Sequence, residues 1–158
     1  MSTEKSQTRN QTLTFAVAAA AESPTETRVS VRDFEFVVDE PESLGGANAG
    51  PNPVEYVLGA LAGCLNVTAH VVAREMDLDV RDLEIAIEGD LNPATFMGKR
   101  EDGRAGYQEI RVAVTADVDA DADAETIDAW LAAVEARCPV SDNLRNATPL
   151  ALSFDRRE

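Results

Sequence analysis

The sequence is short of several things that would announce a function. Lysine is almost absent, with Lys5 and Lys99 beside 12 arginines, and only one histidine, one tryptophan and two cysteines occur. Aromatic residues make up 5% of the chain. Basic charge is scarce: 14 basic residues stand against 29 acidic ones, for a formal net charge of −15. Such a surface repels phosphate backbones and anionic lipid, which argues against a nucleic-acid or membrane partner. We read no apolar run of about 18 residues, and Met1 to Asn10 is polar, without the core of a secretion signal. We therefore expect a cytoplasmic protein. Phosphate loops and nucleotide fingerprints are missing as well.

What is present suits one folded domain. The chain has 158 residues, 44% of them hydrophobic, enough for a sizeable core. We expect a flexible polar leader over 1–10 and a single domain over 11–158. The carboxylates are dispersed rather than blocked, as in the Ala/Asp-rich stretch Ala116 to Glu125. Dispersed acidity with lysine suppressed suits work in concentrated salt, a halophilic adaptation; the competing reading is an acidic patch for a cationic partner.

Periodicity places the elements. Thr12 to Ala19 and Arg28 to Val38 read as strands, the second changing apolar parity near Arg32 and Asp33, which predicts a bulge, a twist or a change of burial. Gly45-Gly46 and Gly50-Pro51-Asn52-Pro53 form a loop into a helix from Pro53 to about Arg74. That helix is apolar nearly all round and slim at Gly59, Ala60, Ala62 and Gly63, so it belongs in a core or between subunits. Leu83, Ile85 and Ile87, then Ile110, Val112 and Val114, alternate with more polar or smaller residues as two half-buried antiparallel strands. Asp123 to about Arg137 is a second helix, Pro139 opens a short helical turn, and Pro149 to Phe154 reads as a last strand.

The two cysteines, Cys64 and Cys138, are 74 residues apart and form no close redox pair or zinc knuckle. Two separate buried thiols are one reading. Cys64 lies in the slim helix, where desolvation alone would leave it inert; reactivity there needs a cation or donor from elsewhere, and Arg28, Arg32 and Arg104 are candidates by placement. Cys138 precedes Pro139, a favoured first helical residue, and so reads as an N-cap facing free amides that favour thiolate, with Arg137 adding positive potential. His70, the only histidine, is six residues from Cys64, about 120° around the helix, which rules out a Cys-His pair on one face. A zinc site from Cys64, Cys138 and His70 would lack a ligand. No cofactor or metal is called for.

Taken together, Asp39-Glu40-Pro41, Leu44-Gly45-Gly46, Gly50-Pro51-Asn52-Pro53-Val54-Glu55, Gly59-Ala60-Leu61-Ala62-Gly63-Cys64 and Arg137-Cys138-Pro139-Val140 resemble the OsmC/Ohr family of thiol-dependent peroxidases, and its OsmC-like branch most, from roughly Arg28 to Phe154. The resemblance implies an α+β, OsmC-like fold: antiparallel sheets around long central helices in an intertwined homodimer. It implies reduction of organic or hydrogen peroxides in oxidative stress defence, with Cys64 as the catalytic peroxidatic thiol and Cys138 as the resolving one. A dithiol or lipoyl-type reductant would reset their disulfide.

By the same resemblance an arginine near the N-terminal strands, here Arg28 or else Arg32, stabilises the thiolate together with a carboxylate ten residues before the cysteine. This chain has Val54 at that position and Glu55 one step later. Nine residues of helix turn about 900°, placing Glu55 opposite Cys64. Glu55 is then expected either to favour the helix start electrostatically or to reach the site of the dimer mate as a thiolate-stabilising group. The departure leaves an alternative: a noncatalytic OsmC-like dimer holding a small apolar ligand in its interface cleft.

Overall fold

The computed structural model describes residues 12–157; the leader expected over 1–10 lies outside them. The described residues form two compact units, one up to Pro53 and one from Val54.

The first unit is a three-stranded antiparallel sheet in the order β1-β2-β3, with β1 at Ala18–Ala21, β2 at Thr27–Val31 and β3 at Phe34–Val38. The single strand expected over Arg28 to Val38 is therefore a hairpin. Its parity change marks a two-residue turn: Val31 pairs with Phe34, and Arg32 adopts φ +52°. The strand expected from Thr12 begins only at Ala18, which pairs with Ser30. Beyond Val31 the partner strand turns away, so residues 12–17 have no ladder to join.

The loop after β3 is built on one carboxylate. Asp39 is fully buried, and its oxygens accept the backbone N–H groups of Glu40, Ala47 and Ala49 at 2.8, 3.0 and 3.0 Å. These bonds, that from Ala49 foremost, hold its carboxyl below the ordinary value of 3.8 against the opposing effect of burial. Gly46 lets the chain fold onto itself, since a Cβ there would sit 1.9 Å from the Glu40 carbonyl oxygen. The loop runs directly into a helix.

That helix, α1 (Pro53–Glu75), opens the second unit. Pro53 takes the first position, where no amide is required, and Glu55 and Arg74 suit the two ends of the helix dipole. It ends in a Schellman-type closure: Leu78 N–H donates to the Ala73 carbonyl at 2.9 Å, with Asp77 at φ +53° where glycine is usual. Strands β4 (Val80–Asp90) and β5 (Glu109–Val118) pair antiparallel, with an irregularity between Arg81 and Glu84 where Asp82 has φ +46°. Helices α2 (Ala124–Arg137) and α3 (Pro139–Arg145) follow. Asp123 caps α2, accepting the Thr126 N–H at 2.8 Å.

The core of this unit joins Leu61, Leu65, Ala69 and Val72 of α1 to Trp130 and Val134 of α2 and to Cys138, with Ile85, Ile87 and Ile110 packed against it. Trp130 donates its indole N–H to the Ala69 carbonyl at 2.9 Å, satisfying its one polar atom inside the core. Two expectations need correction. By length and composition α1 is apolar enough to cross a bilayer, because Gly and Ala fill the gaps between its larger apolar residues; only 28% of that stretch is buried within the chain. The strand expected over Pro149 to Phe154 is not formed, and Leu150, Leu152 and Phe154 stand exposed. Alternation sets the faces of a strand, but its backbone still needs a partner.

The Asp39 network carries a pH dependence whose sign follows from its lowered pKa. A depressed carboxyl contributes stability above its unfolded value, and loses it as pH falls through the folded value. Replacing Asp39 by Asn should lower the thermal midpoint by several degrees at neutral pH. The difference from wild type should shrink below about pH 4, as read by circular-dichroism melts across pH.

Candidate active site

Cys138 stands where α2 ends and α3 begins, and its backbone serves both helices. Its N–H donates to the Val134 carbonyl at 3.1 Å, and its carbonyl accepts the Asp142 N–H at 3.0 Å. Its Sγ accepts the buried Ser141 N–H at 3.4 Å, so the N-cap expected from Pro139 is present. The residue is 0% exposed. Burial pushes the thiol up from its ordinary value of 9.0; the Ser141 and Val140 amides pull it down, and the Cys64 side chain pushes it up again. The net direction is upward, which corrects the expectation that the cap favours thiolate: desolvation outweighs two amides. Arg137 does not add to the cap's potential as expected, because it is bound to Glu75.

Cys64 is half-buried in α1 and packs against the core cluster that contains Cys138. The fold therefore brings together two sulfurs 74 residues apart in sequence, and both are free thiols. A cavity of about 870 Å³ opens beside residues that neighbour them in the fold, without either sulfur in its wall. Leu61 and Leu65, which flank Cys64 along the helix, line it together with Ser141, Val112 and Leu131. The wall is mostly aliphatic, with Arg104 and Arg145 as its cations. Arg145 is paired with Glu135 and donates to the Ser141 hydroxyl, whereas the Arg104 guanidinium has no hydrogen-bond or ion-pair partner among the described residues.

The other expected residues are not among those lining the cavity. Glu55 sits in the exposed first turn of α1, about 13 Å along the helix from Cys64 and half a turn round. Its charge, after burial, helps push the Tyr107 hydroxyl above its ordinary value. Arg28 and Arg32 belong to the first unit, where Arg28 pairs with Glu22 at 3.2 Å and Arg32 lies 5.0 Å over the Phe34 ring. His70 is exposed, with Nδ1 2.9 Å from the Asn66 carbonyl oxygen, an ordinary helix residue as expected. No cluster of metal-ligating side chains occurs among the described residues.

Sequence reasoning missed Tyr107 and Ser141. Tyr107 lines the cavity, donates its hydroxyl to the Val54 carbonyl at 2.7 Å, and lays its ring on Gly89, where a Cβ would come within 2.5 Å of it. The pairing of a strand glycine with a distant tyrosine was the available signal for the first. Ser141 was implicit in the cap, three residues after Cys138.

Comparison with known proteins identifies the family and the fold. Residues 45–153 match the family described as OsmC-like protein. The fold is similar to that of an OsmC-like protein from Mycoplasma pneumoniae, with a TM-score of 0.72 at 19% identity, covering 85% of this chain and 89% of the other. It is also similar to an organic hydroperoxide resistance protein OsmC from Legionella pneumophila (TM-score 0.60, 21% identity, 84% and 90% covered) and to the organic hydroperoxide resistance protein OhrB of Bacillus subtilis (0.54, 20%, 84% and 91%). No curated protein matches the chain in sequence.

The burial and raised pKa of Cys138 set an order of reactivity. Iodoacetamide near neutral pH should modify Cys64 first, and Cys138 modification should accelerate only above pH 9.0, as followed by peptide mass spectrometry.

Proposed function

The chain belongs to the OsmC-like family, and from that membership we propose that it is a thiol-dependent peroxidase acting on organic or hydrogen peroxides. The observation that carries the proposal is the meeting of Cys64 with a buried, amide-capped Cys138. A Cys64 thiolate attacks the outer peroxide oxygen, the O–O bond breaks, and the alkoxide takes a proton and leaves as alcohol. Cys64 becomes a sulfenic acid. The Cys138 sulfur then attacks Cys64, a disulfide forms and water leaves. A dithiol or lipoyl-type reductant restores both thiols and is itself oxidised to a disulfide.

The raised pKa of Cys138 fits this order of events. A neutral Cys138 is a hydrogen-bond donor for a Cys64 thiolate, and becomes a nucleophile only once the partner sulfur is oxidised. The cation we propose for an ionised Cys64 is Arg104, which belongs to the same unit. It lies on the cavity wall that Leu61 and Leu65 share. The aliphatic wall suits the organic part of a peroxide. It also supports the second reading, a noncatalytic site for a small apolar ligand.

The protein works, in this reading, as a homodimer in the cytoplasm, adapted to high salt. A second copy accounts for the exposed face of α1, where Gly59, Gly63, Val67 and Val71 follow one another at helical spacing, and for the exposed Leu150, Leu152 and Phe154. Lipid is the poorer cover for that face, since Asn66 and His70 share it.

Replacing Cys64 by Ser should abolish turnover of cumene hydroperoxide with a dithiol, a loss of at least about 10³-fold. The Cys138→Ser variant should accumulate a trappable sulfenic acid at Cys64. Full activity in the Cys64 variant would remove Cys64 from the nucleophile role, whereas a wild-type protein that leaves peroxide unconsumed would leave the apolar-ligand reading. Gly63 offers a test of the dimer, because a Cβ there meets nothing within 4 Å in the single chain. Gly63→Ala would stabilise an isolated helix by about 1 kcal/mol; if a second α1 lies close, Gly63→Leu should instead shift a two-chain mass toward one chain in light scattering.

A further inference from the structure

We infer that the Glu75–Arg137 ion pair is the positioning device that sets Cys138 against Cys64 for disulfide closure, an inference that rests on the peroxidase reading above. Arg137 directly precedes Cys138 and ends α2, and Glu75 ends α1, the helix that carries Cys64. The two meet across 62 residues of chain through two bonds, Nη1 to Oε2 at 2.5 Å and Nη2 to Oε1 at 3.1 Å. A bidentate contact fixes orientation as well as distance. Eleven residues separate Glu75 from Cys64, about three helical turns, so both project from nearly the same face of α1. Arg137 thereby holds the end of α2 to the face on which Cys64 lies.

Other tethers do not supply this. The Trp130 indole bond to Ala69 lies eight residues before Cys138, and the contacts of Val134 are apolar, without direction. Both partners of the ion pair are half-exposed, so its weight in global stability is small. Its weight in closure is larger, because attack of one sulfur on another depends on approach within a narrow range of distance and angle. In that step the Cys138 thiol loses its proton, its sulfur bonds to Cys64, and the sulfenic oxygen departs with that proton and its own as water. The pair takes no part in the chemistry and acts through the place it gives Cys138.

The test separates formation of the sulfenic acid from its closure. Reduced full-length protein is mixed with one equivalent of cumene hydroperoxide, quenched at intervals with a sulfenic-acid trap, and analysed by mass spectrometry. In Glu75→Gln, sulfenic acid should form at the wild-type rate and close about three- to five-fold more slowly. The exchanged variant, Glu75→Arg with Arg137→Glu, should recover closure, which a mere loss of folding stability would not. Closure at the wild-type rate in Glu75→Gln, or no recovery in the exchanged variant, would overturn this inference and leave the peroxidase reading intact. No disulfide in the wild-type protein would overturn both.

Discussion

The structure of the second unit turns on one buried sulfur at the joint of two helices. Cys138 ends α2 with its amide, begins α3 with its carbonyl, and caps α3 with its side chain. Pro139 makes this workable, since the first position of α3 then lacks a donor that would compete for the sulfur. These bonds fix the residue within the α2–α3 joint, and desolvation keeps it protonated. Cys64 has the opposite situation, half-buried in the middle of a long helix whose neighbours open onto a cavity. The asymmetry between a fixed, sealed thiol and an accessible one is the physical basis for assigning them different roles.

Charge is arranged with the same economy. Against a net charge of −15, most arginines of the second unit are bound to carboxylates: Arg81 to Asp79 and Asp117, Arg100 to Asp102, Arg111 to Asp90 and Glu109, Arg137 to Glu75. Each such pair is largely exposed and of modest value to stability. Their collective effect is that positive charge is confined locally. Arg104, on the cavity wall, is an exception.

The family match fits a chain that departs from the hydroperoxide resistance proteins at one telling position. Where those proteins are expected to carry a carboxylate, this chain has Val54, whose side chain lines the cavity and whose carbonyl accepts the Tyr107 hydroxyl. The start of α1 is therefore anchored by a neutral hydrogen bond to the strand region, and the carboxylate of Glu55 is displaced to the exposed side.

Local pattern was enough for much of this architecture. The start of α1 at Pro53, the start of α2 next to Asp123, the Cys138 cap of α3 and the alternation in β4 all depend on residues within a few positions of one another, where propensity and capping act directly; in β5 the expected alternation is not kept, since Val112 and Val114 are exposed. The motifs around both cysteines carried the family for the same reason. Tertiary structure decided what involves partners distant in sequence. Arg32 and Asp33 turn the chain because Phe34 pairs back onto Val31; the tail at 149–154 stays unpaired because no strand meets it; Asp39 is buried because three amides converge on it. The pKa of Cys138 belongs to that second group. A cap visible in the sequence lowers it, but the packing of three helices around the sulfur raises it more, and burial has no local signature.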